Sequence, residues 1–401
     1  MKSVRALALV CLLGLIAVAG FAVAPAHAVV DLKGMFGKQA PVSDSDRYRA
    51  IYPIQNENDF EPIAKSYHGT PYNDPQIEFE IMIPKDWVPV EMSDAHSLSG
   101  ANNKLIGDLV HFRSPVIAAM RADVTVQVVK LPQDISAENW LKGFILSNKY
   151  NLQGTVKPVN EKKAGAECVE TNPDGSSSYT YITAQINANN AVIVRFDSPL
   201  QLKDVLAFIR KRIVDSFRFI LETDQPIEPL KSFNFSTALK FRYPESLVVS
   251  HVDVGDTRSM SAWFTNQSKP LEITDRSRGK FAPQTLGLMR FVVVKRSHNT
   301  SLKKETEDMH DFVTKNLDLD FKKLVSYDKV PVSNRFLFSR YEIYQVIPKK
   351  SNPIPEEIRF VALGDRNWYV LGLLFTPSES EDFYNWAVNT QYFDMIIRDF
   401  R

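Results

Sequence analysis

Two stretches decide the fold: VIVRFDSPLQLKDVL, Val192–Leu206, and VLGLLFTPSESEDFYNW, Val370–Trp386. Each runs an apolar segment into Ser-Pro or Thr-Pro and then into helical spacing. The spacing predicts a last strand, Ala191–Phe196 or Trp368–Phe375, followed by a helix that starts at Ser198-Pro199 or Thr376-Pro377. Ser or Thr can cap free backbone N–H groups, and Pro loses nothing at the first helical position. The helices so predicted carry Leu202, Val205, Leu206, Ile209 and Ile213 in one case, and Phe383, Trp386, Phe393, Ile396 and Ile397 in the other. They close on similar phrases, IVDSF (Ile213–Phe217) and IIRDF (Ile396–Phe400).

Working backwards, NANN (Asn187–Asn190) and GDRN (Gly364–Asn367) are turn sequences, because Gly, Asn and Asp tolerate positive φ. Each closes a hairpin onto the last strand. Before them come strands around Glu167–Thr171 and Ser178–Ile186 in the first half, and Phe336–Ile347 and Glu357–Leu363 in the second. Earlier still lie segments of helical spacing. One follows a Ser136 cap with Trp140, Leu141, Phe144 and Ile145; the other holds Met309, Phe312, Val313 and Leu317. Three strands open each half. Ile77, Phe79, Ile81 and Ile83 alternate up to Pro84, and Leu239, Phe241 and Tyr243 up to Pro244. DLVHFRSP from Asp108 and SAWFTNQ from Ser261 come second; Val124, Val126 and Val128, and Leu288–Lys295, come third. The same elements in the same order predict an internal two-fold repeat, joined by ETDQPIEPL (Glu222–Leu230), a short stiff linker.

This β-β-β-α-β-β-β-α order resembles the PsbP/Mog1-like family, together with its small bacterial periplasmic members of DcrB and LpqN type. The resemblance rests on the strand end IPKDW (Ile83–Trp87), the helix start Asp-Ile-Ser-Ala-Glu-Asn-Trp and the closing IVDSF. It covers most of Ile77–Phe219 and, more weakly, Phe233–Arg401; the second copy has Leu247 in place of Trp87 and a polar excursion at Asp253–Gln284. What it implies is an α+β fold of two tandem PsbP/Mog1-like domains, each an antiparallel sheet packed with about two helices, and a non-enzymatic accessory or assembly role. The expected division is a signal peptide at 1–28, an extended N-terminal segment at 29–76, domains at 77–221 and 231–401, and the linker at 222–230.

The compartment follows from the first residues. Lys2 and Arg5 precede an uncharged run from Ala6 to Ala24, broken by Pro25 before Ala26-His27-Ala28: a secretory signal with cleavage expected after Ala28. Retention as an anchor is the alternative. Cys11 lacks the setting of a lipoprotein cysteine, and there is no twin arginine. Losing residues 1–28 removes two of 48 basic residues and none of 47 acidic ones, leaving a charge near −1. That balance gives no reason to expect nucleic acid or an anionic membrane surface as partner. Only Cys168 remains, so no disulfide is available, and a chain that is 44% hydrophobic must rely on packed cores. The expected location is the periplasm.

Catalytic chemistry has few candidates. Ser301-x-x-Lys304 and Ser326-x-x-Lys329 have the spacing of a serine hydrolase nucleophile and base, but no Lys-Thr-Gly partner and no Gly-x-Ser-x-Gly elbow accompany them. His68, His96, His111, His251, His298 and His310 lack paired metal-ligand spacing, so no metal or cofactor is expected; Asp253 and Asp256 offer at most a weak cation site. Cys168 reads as a small core residue.

What remains is binding. Val29–Gln76 holds Tyr48, Tyr52, Tyr67 and Tyr72 with too few apolar neighbours for a core, which suits an extended strap that orders on a partner. Trp263 stands beside Phe264, and neighbouring strand residues face opposite sides, so one of the two is expected in the core. DRSRGK (Asp275–Lys280) brings Arg276, Arg278 and Lys280. These residues are the candidate partner-binding set for a non-catalytic accessory protein that binds other envelope proteins. A small-ligand or lipid-binding protein is the alternative, and a serine hydrolase a distant third.

Overall fold

The computed structural model describes residues 43–54, 56–90, 106–117, 119–236, 238–256, 258–266, 287–316, 319–347 and 356–401. The proposed signal, residues 29–42, Leu317 and the loop with Arg276, Arg278 and Lys280 lie outside the described residues.

In chain order the first half holds α1 (Asp44–Ile51), β1 (Ala64–Gly69), β2 (Phe79–Pro84), β3 (Val88–Val90), β4 (Ile106–Arg113), β5 (Asp123–Lys130), α2 (Ala137–Ser147), β6 (Leu152–Asn160), β7 (Lys163–Thr171), β8 (Ser177–Asn187), β9 (Asn190–Pro199), α3 (Ala207–Ser216) and β10 (Arg218–Phe219). The second half holds β11 (Leu230–Phe235), β12 (Leu239–Pro244), β13 (Leu247–Asp256), β14 (Ser259–Asn266), β15 (Leu288–Lys295), α4 (Leu302–Asp311), β16 (Asp320–Tyr327), β17 (Phe338–Ile347), β18 (Glu357–Gly364), β19 (Trp368–Thr376) and α5 (Phe383–Asp399). The fold is α+β. Two seven-stranded antiparallel sheets run β3-β4-β5-β9-β8-β7-β6 and β13-β14-β15-β19-β18-β17-β16, the same order in each half. A separate small sheet, β1-β2-β10 or β11-β12, accompanies each large one.

Alternation along the strands fixes what each face meets. In the first sheet Val124, Val126, Val192, Val194 and Phe196 pack with hairpin β1-β2, α1 and α3. Ala164, Ala166, Cys168, Ile182, Ala184 and Ile193 pack with Trp140, Leu141, Phe144 and Ile145 of α2 on the opposite face. In the second sheet Phe264, Phe291 and Val361 meet hairpin β11-β12 and α5, while Ile358, Phe360, Leu371 and Leu373 meet Met309 of α4 and Val313 of the π turn that follows it. Buried α2 and α5 side chains belong to one continuous apolar cluster, so the two halves share a core. Residues 44–401 accordingly form one compact unit. A buried polar chain accompanies this contact. Gln133 donates to Asn266 (3.4 Å), Asn266 to Asn389 (2.8 Å), and Asn389 to Thr376 (3.1 Å).

Several sequence expectations need correction. The helices do not start at the Ser-Pro and Thr-Pro pairs. Ser198 and Thr376 end their strands, buried, and α3 begins only at Ala207 with no side-chain cap. The cap of α5 is Asp382, which accepts from the Asn385 amide at 3.2 Å. Ser136 does cap α2, accepting from the Asn139 amide at 3.2 Å. The segment before Gln76 is no extended strap where described. It contributes α1 and the whole of β1, which pairs antiparallel with β2 from Ala64↔Pro84 to Gly69↔Phe79.

Both predicted turns hold the chain by side chains. At the β8-β9 turn Ala188 takes φ 48°, and Asn187 donates to the Gln76 and Leu221 carbonyls (both 2.8 Å) while accepting from the Thr223 amide (2.9 Å). At the β18-β19 turn Asp365 accepts from the Asn367 and Trp368 amides (both 2.7 Å) and from Arg335 (2.6 Å), which also donates to the Ala238 carbonyl.

Candidate binding surface

Those of the singled-out residues that are described, Tyr48, Tyr52, Tyr67, Tyr72 and Trp263, do not converge. Tyr48 and Tyr52 are buried, their hydroxyls donating to the Met120 carbonyl (2.8 Å) and to Asp86 (2.6 Å). Their apolar neighbours come from distant strands, so they are core residues and not exposed anchors. Tyr67 is half-buried, edge-on to Phe112 at 4.9 Å; Tyr72 alone of the four is open, 72% exposed. Phe264 enters the core and Trp263 takes the opposite face, where the Arg290 guanidinium stacks on it and on Phe312 (5.1 and 4.1 Å).

The catalytic candidates have structural jobs. Ser301 Oγ accepts from the Lys304 amide (3.2 Å), so the Ser-x-x-Lys spacing is the N-cap of α4. Ser326 lies on β16, 3.5 Å from Glu342. Burial pushes the Cys168 thiol up to about 11, away from nucleophilic thiolate. His310 sits among Phe321, Tyr344 and Phe360, where burial holds it below its ordinary value. Among the described residues no cluster of three or more His, Cys, Asp or Glu could hold a metal ion, and no helix is long and apolar enough to cross a membrane.

The two sheets differ in one respect that spacing did not reveal. On the α2 face of the first sheet, Asp123 receives His111 (3.1 Å), Arg113 (3.5 Å) and Arg121 (3.6 Å), while Asp197 receives Arg195 (2.7 Å) and Thr180 (2.7 Å). Burial works against the Arg195 charge, but Asp197 and Tyr150 outweigh it. By strand register, the second sheet puts Leu288, Leu373, Phe375 and Ile358 where the first has Asp123, Arg195, Asp197 and Thr180. The first copy thus keeps a partly open, internally paired charged shelf where the second has core.

The second difference lies at the sheet edges. An edge strand presents unpaired backbone N–H and C=O groups and is ordinarily blunted. Edge β3 is three residues long with Pro89 inside it. Edge β6 carries Pro158, Lys157, Gly154 at φ 80° and two register shifts. Edge β13 is also interrupted twice. β16 carries Lys322 and Lys323 and one register shift but no Pro and no Gly, and seven of its eight residues are exposed. Leu324 is 52%, Val325 37% and Tyr327 51% exposed, next to the open side chains of Leu337 and Phe338.

The register sets the two lips of this edge. Lys322, Val325 and Tyr327 lie on the α5 side, opposite Gln345, Ile343 and Tyr341; Phe321, Lys323 and Ser326 lie on the α4 side, opposite Val346, Tyr344 and Glu342. Beneath the second lip Glu342 is buried and accepts from Lys323 (2.5 Å), Arg340 (3.0 Å) and Tyr344 (2.5 Å). Burial opposes its charge, but these donors hold its carboxyl below the ordinary value. Half-exposed Lys323 and Arg340 heads therefore cover the one acid.

No protein-family profile and no curated protein matches the sequence. Solved structures give likenesses of limited extent. The Ran-binding protein Mog1p of Saccharomyces cerevisiae matches at 12% identity and TM-score 0.29 over 43% of this chain and 95% of its own. LpqN of Mycobacterium tuberculosis, described as involved in cell envelope biogenesis, matches at 12% identity and TM-score 0.28 over 38% of this chain and 90% of its own. A cyanobacterial PsbP from Synechocystis matches at 15% identity and TM-score 0.23 over 39% and 92%.

Proposed function

We propose that this chain is a non-catalytic accessory protein of the bacterial envelope, exported by the signal at residues 1–28, that binds another protein by accepting an extended segment beside β16. The observation that carries the reading is the least interrupted long edge of the two large sheets: an eight-residue strand with one register shift and with Leu324, Val325 and Tyr327 in the open, where β6 and β13 are each interrupted twice. Strand addition supplies main-chain hydrogen bonds from groups that are already aligned, and side-chain pockets on alternate faces supply selectivity. Apolar clusters packed against both faces of each sheet favour a protein partner over a small ligand taken up inside.

The test is site-specific photo-crosslinking in the native periplasm, with the reactive amino acid at Leu324 or, as control, at Lys157 on guarded β6. A discrete protein adduct is expected from position 324, absent from position 157 and lost when Val325→Lys and Tyr327→Lys are combined. Equal labelling from both edges would refute the proposal.

A further inference from the structure

The edge also selects for chemistry, and this inference rests on the strand-addition reading just given. A strand laid beside β16 projects alternate side chains to its two lips. On the α5 lip they meet Lys322 at one end and then Val325 and Tyr327, with Tyr341 one strand further in, 6.4 Å from the Tyr327 ring. That lip rewards apolar residues, because each removes exposed apolar surface from water. On the α4 lip they meet Lys323 and Ser326, with the Arg340 head one strand in. Among the described residues the carboxylate at that lip, Glu342, is beneath those cations and already spoken for by three donors. An incoming lysine or arginine would face like charge there, whereas an incoming carboxylate would complete the pairing. We infer that the natural occupant of β16 is an extended segment of another protein in which apolar and acidic residues alternate, the apolar set over Val325 and Tyr327 and the acidic set over Lys323 and Arg340.

The full chain and three fluorescently tagged eight-residue peptides test this by anisotropy: valine alternating with glutamate, with serine, or with lysine. Exposed ion pairs are individually weak, so the glutamate peptide is expected to bind roughly tenfold more tightly than the lysine peptide, with serine between. The difference should collapse in about 1 M salt, where the screening length is about 3 Å. Hydrogen exchange should show protection of the β16 amides by the glutamate peptide, and the Val325→Lys, Tyr327→Lys double variant should lose it with an unchanged melting temperature. Equal binding of all three peptides would overturn the charge preference while leaving edge binding intact. Failure of any peptide to protect β16 would overturn the edge reading itself. A dimer of the free protein that the double variant dissociates would also overturn the inference, because a second copy would then be the occupant.

Discussion

Asp134 sits where the first half meets the linker, and it is poised to make stability depend on pH. Its backbone N–H lies 3.4 Å from Glu228, and its side chain is held by the Ile227 and Glu228 backbone. Its Oδ2 is buried without a hydrogen-bond partner among the described residues. Burial first, and the nearby Glu228 charge second, raise its carboxyl from 3.8 to about 6. The raised folded value means that this group's contribution to stability is full below about pH 4 and is lost as pH rises through about 6. A shift of about two units corresponds to about 3 kcal/mol; for a half-exposed residue screened by water we take about 1–2 kcal/mol. Asp134→Asn removes the ionisation and keeps an acceptor, so at pH 7 it should stabilise the protein by that amount, a rise of about 1–3 °C. Thermal melts of both proteins from pH 3 to 8 give the difference directly. That difference should grow from near zero at the acid end to a plateau above about pH 7. A variant that is less stable at pH 7, or a difference that does not vary with pH, would refute the reasoning.

Further outcomes follow from other contacts. Ser301→Ala should cost about 1 kcal/mol in urea titration through loss of the α4 cap. Gly287→Ala should destabilise more, by about 2 kcal/mol or above, because a Cβ there would stand 2.3 Å from Asn389 Oδ1 and break the polar chain between the halves. Cys168 should resist iodoacetamide in native buffer at pH 8 and react fully in guanidinium, read by intact mass. The full chain should unfold in a single calorimetric transition, because α2 and α5 contribute to one core; two separate transitions would count against that coupling.

The strands legible in the sequence were the interior ones. β4, β5, β7, β8, β9 and their second-half counterparts are packed on both sides or alternate strongly, and the prolines at Pro84 and Pro244 mark the ends of β2 and β12. In the two large sheets the four strands missed, β3, β6, β13 and β16, are the four edges; in the small sheets β1, β10 and β11 were missed as well. Edge strands keep little apolar alternation because most of their residues face water, and the register shifts in β6, β13 and β16 erase what remains. The candidate surface on β16 was therefore invisible for the same reason that makes it available. Tyr48 and Tyr52 failed differently. Their burial depends on partners such as Asp86 and the Met120 carbonyl, brought close only by the tertiary fold. Ser198 and Thr376 were misread because a hydroxyl before Pro has the chemistry of a helix cap, while the backbone there still belongs to the ladder with β8 or β18.

The amide of Asn187 reaches both the Gln76 and the Leu221 carbonyls, at 2.8 Å each. The point where the chain runs into β2 and the point where it leaves β10 are thus spanned by a single side chain. A unit whose two ends meet can be spliced head to tail, or inserted at a surface loop of another protein, without stretching the connections.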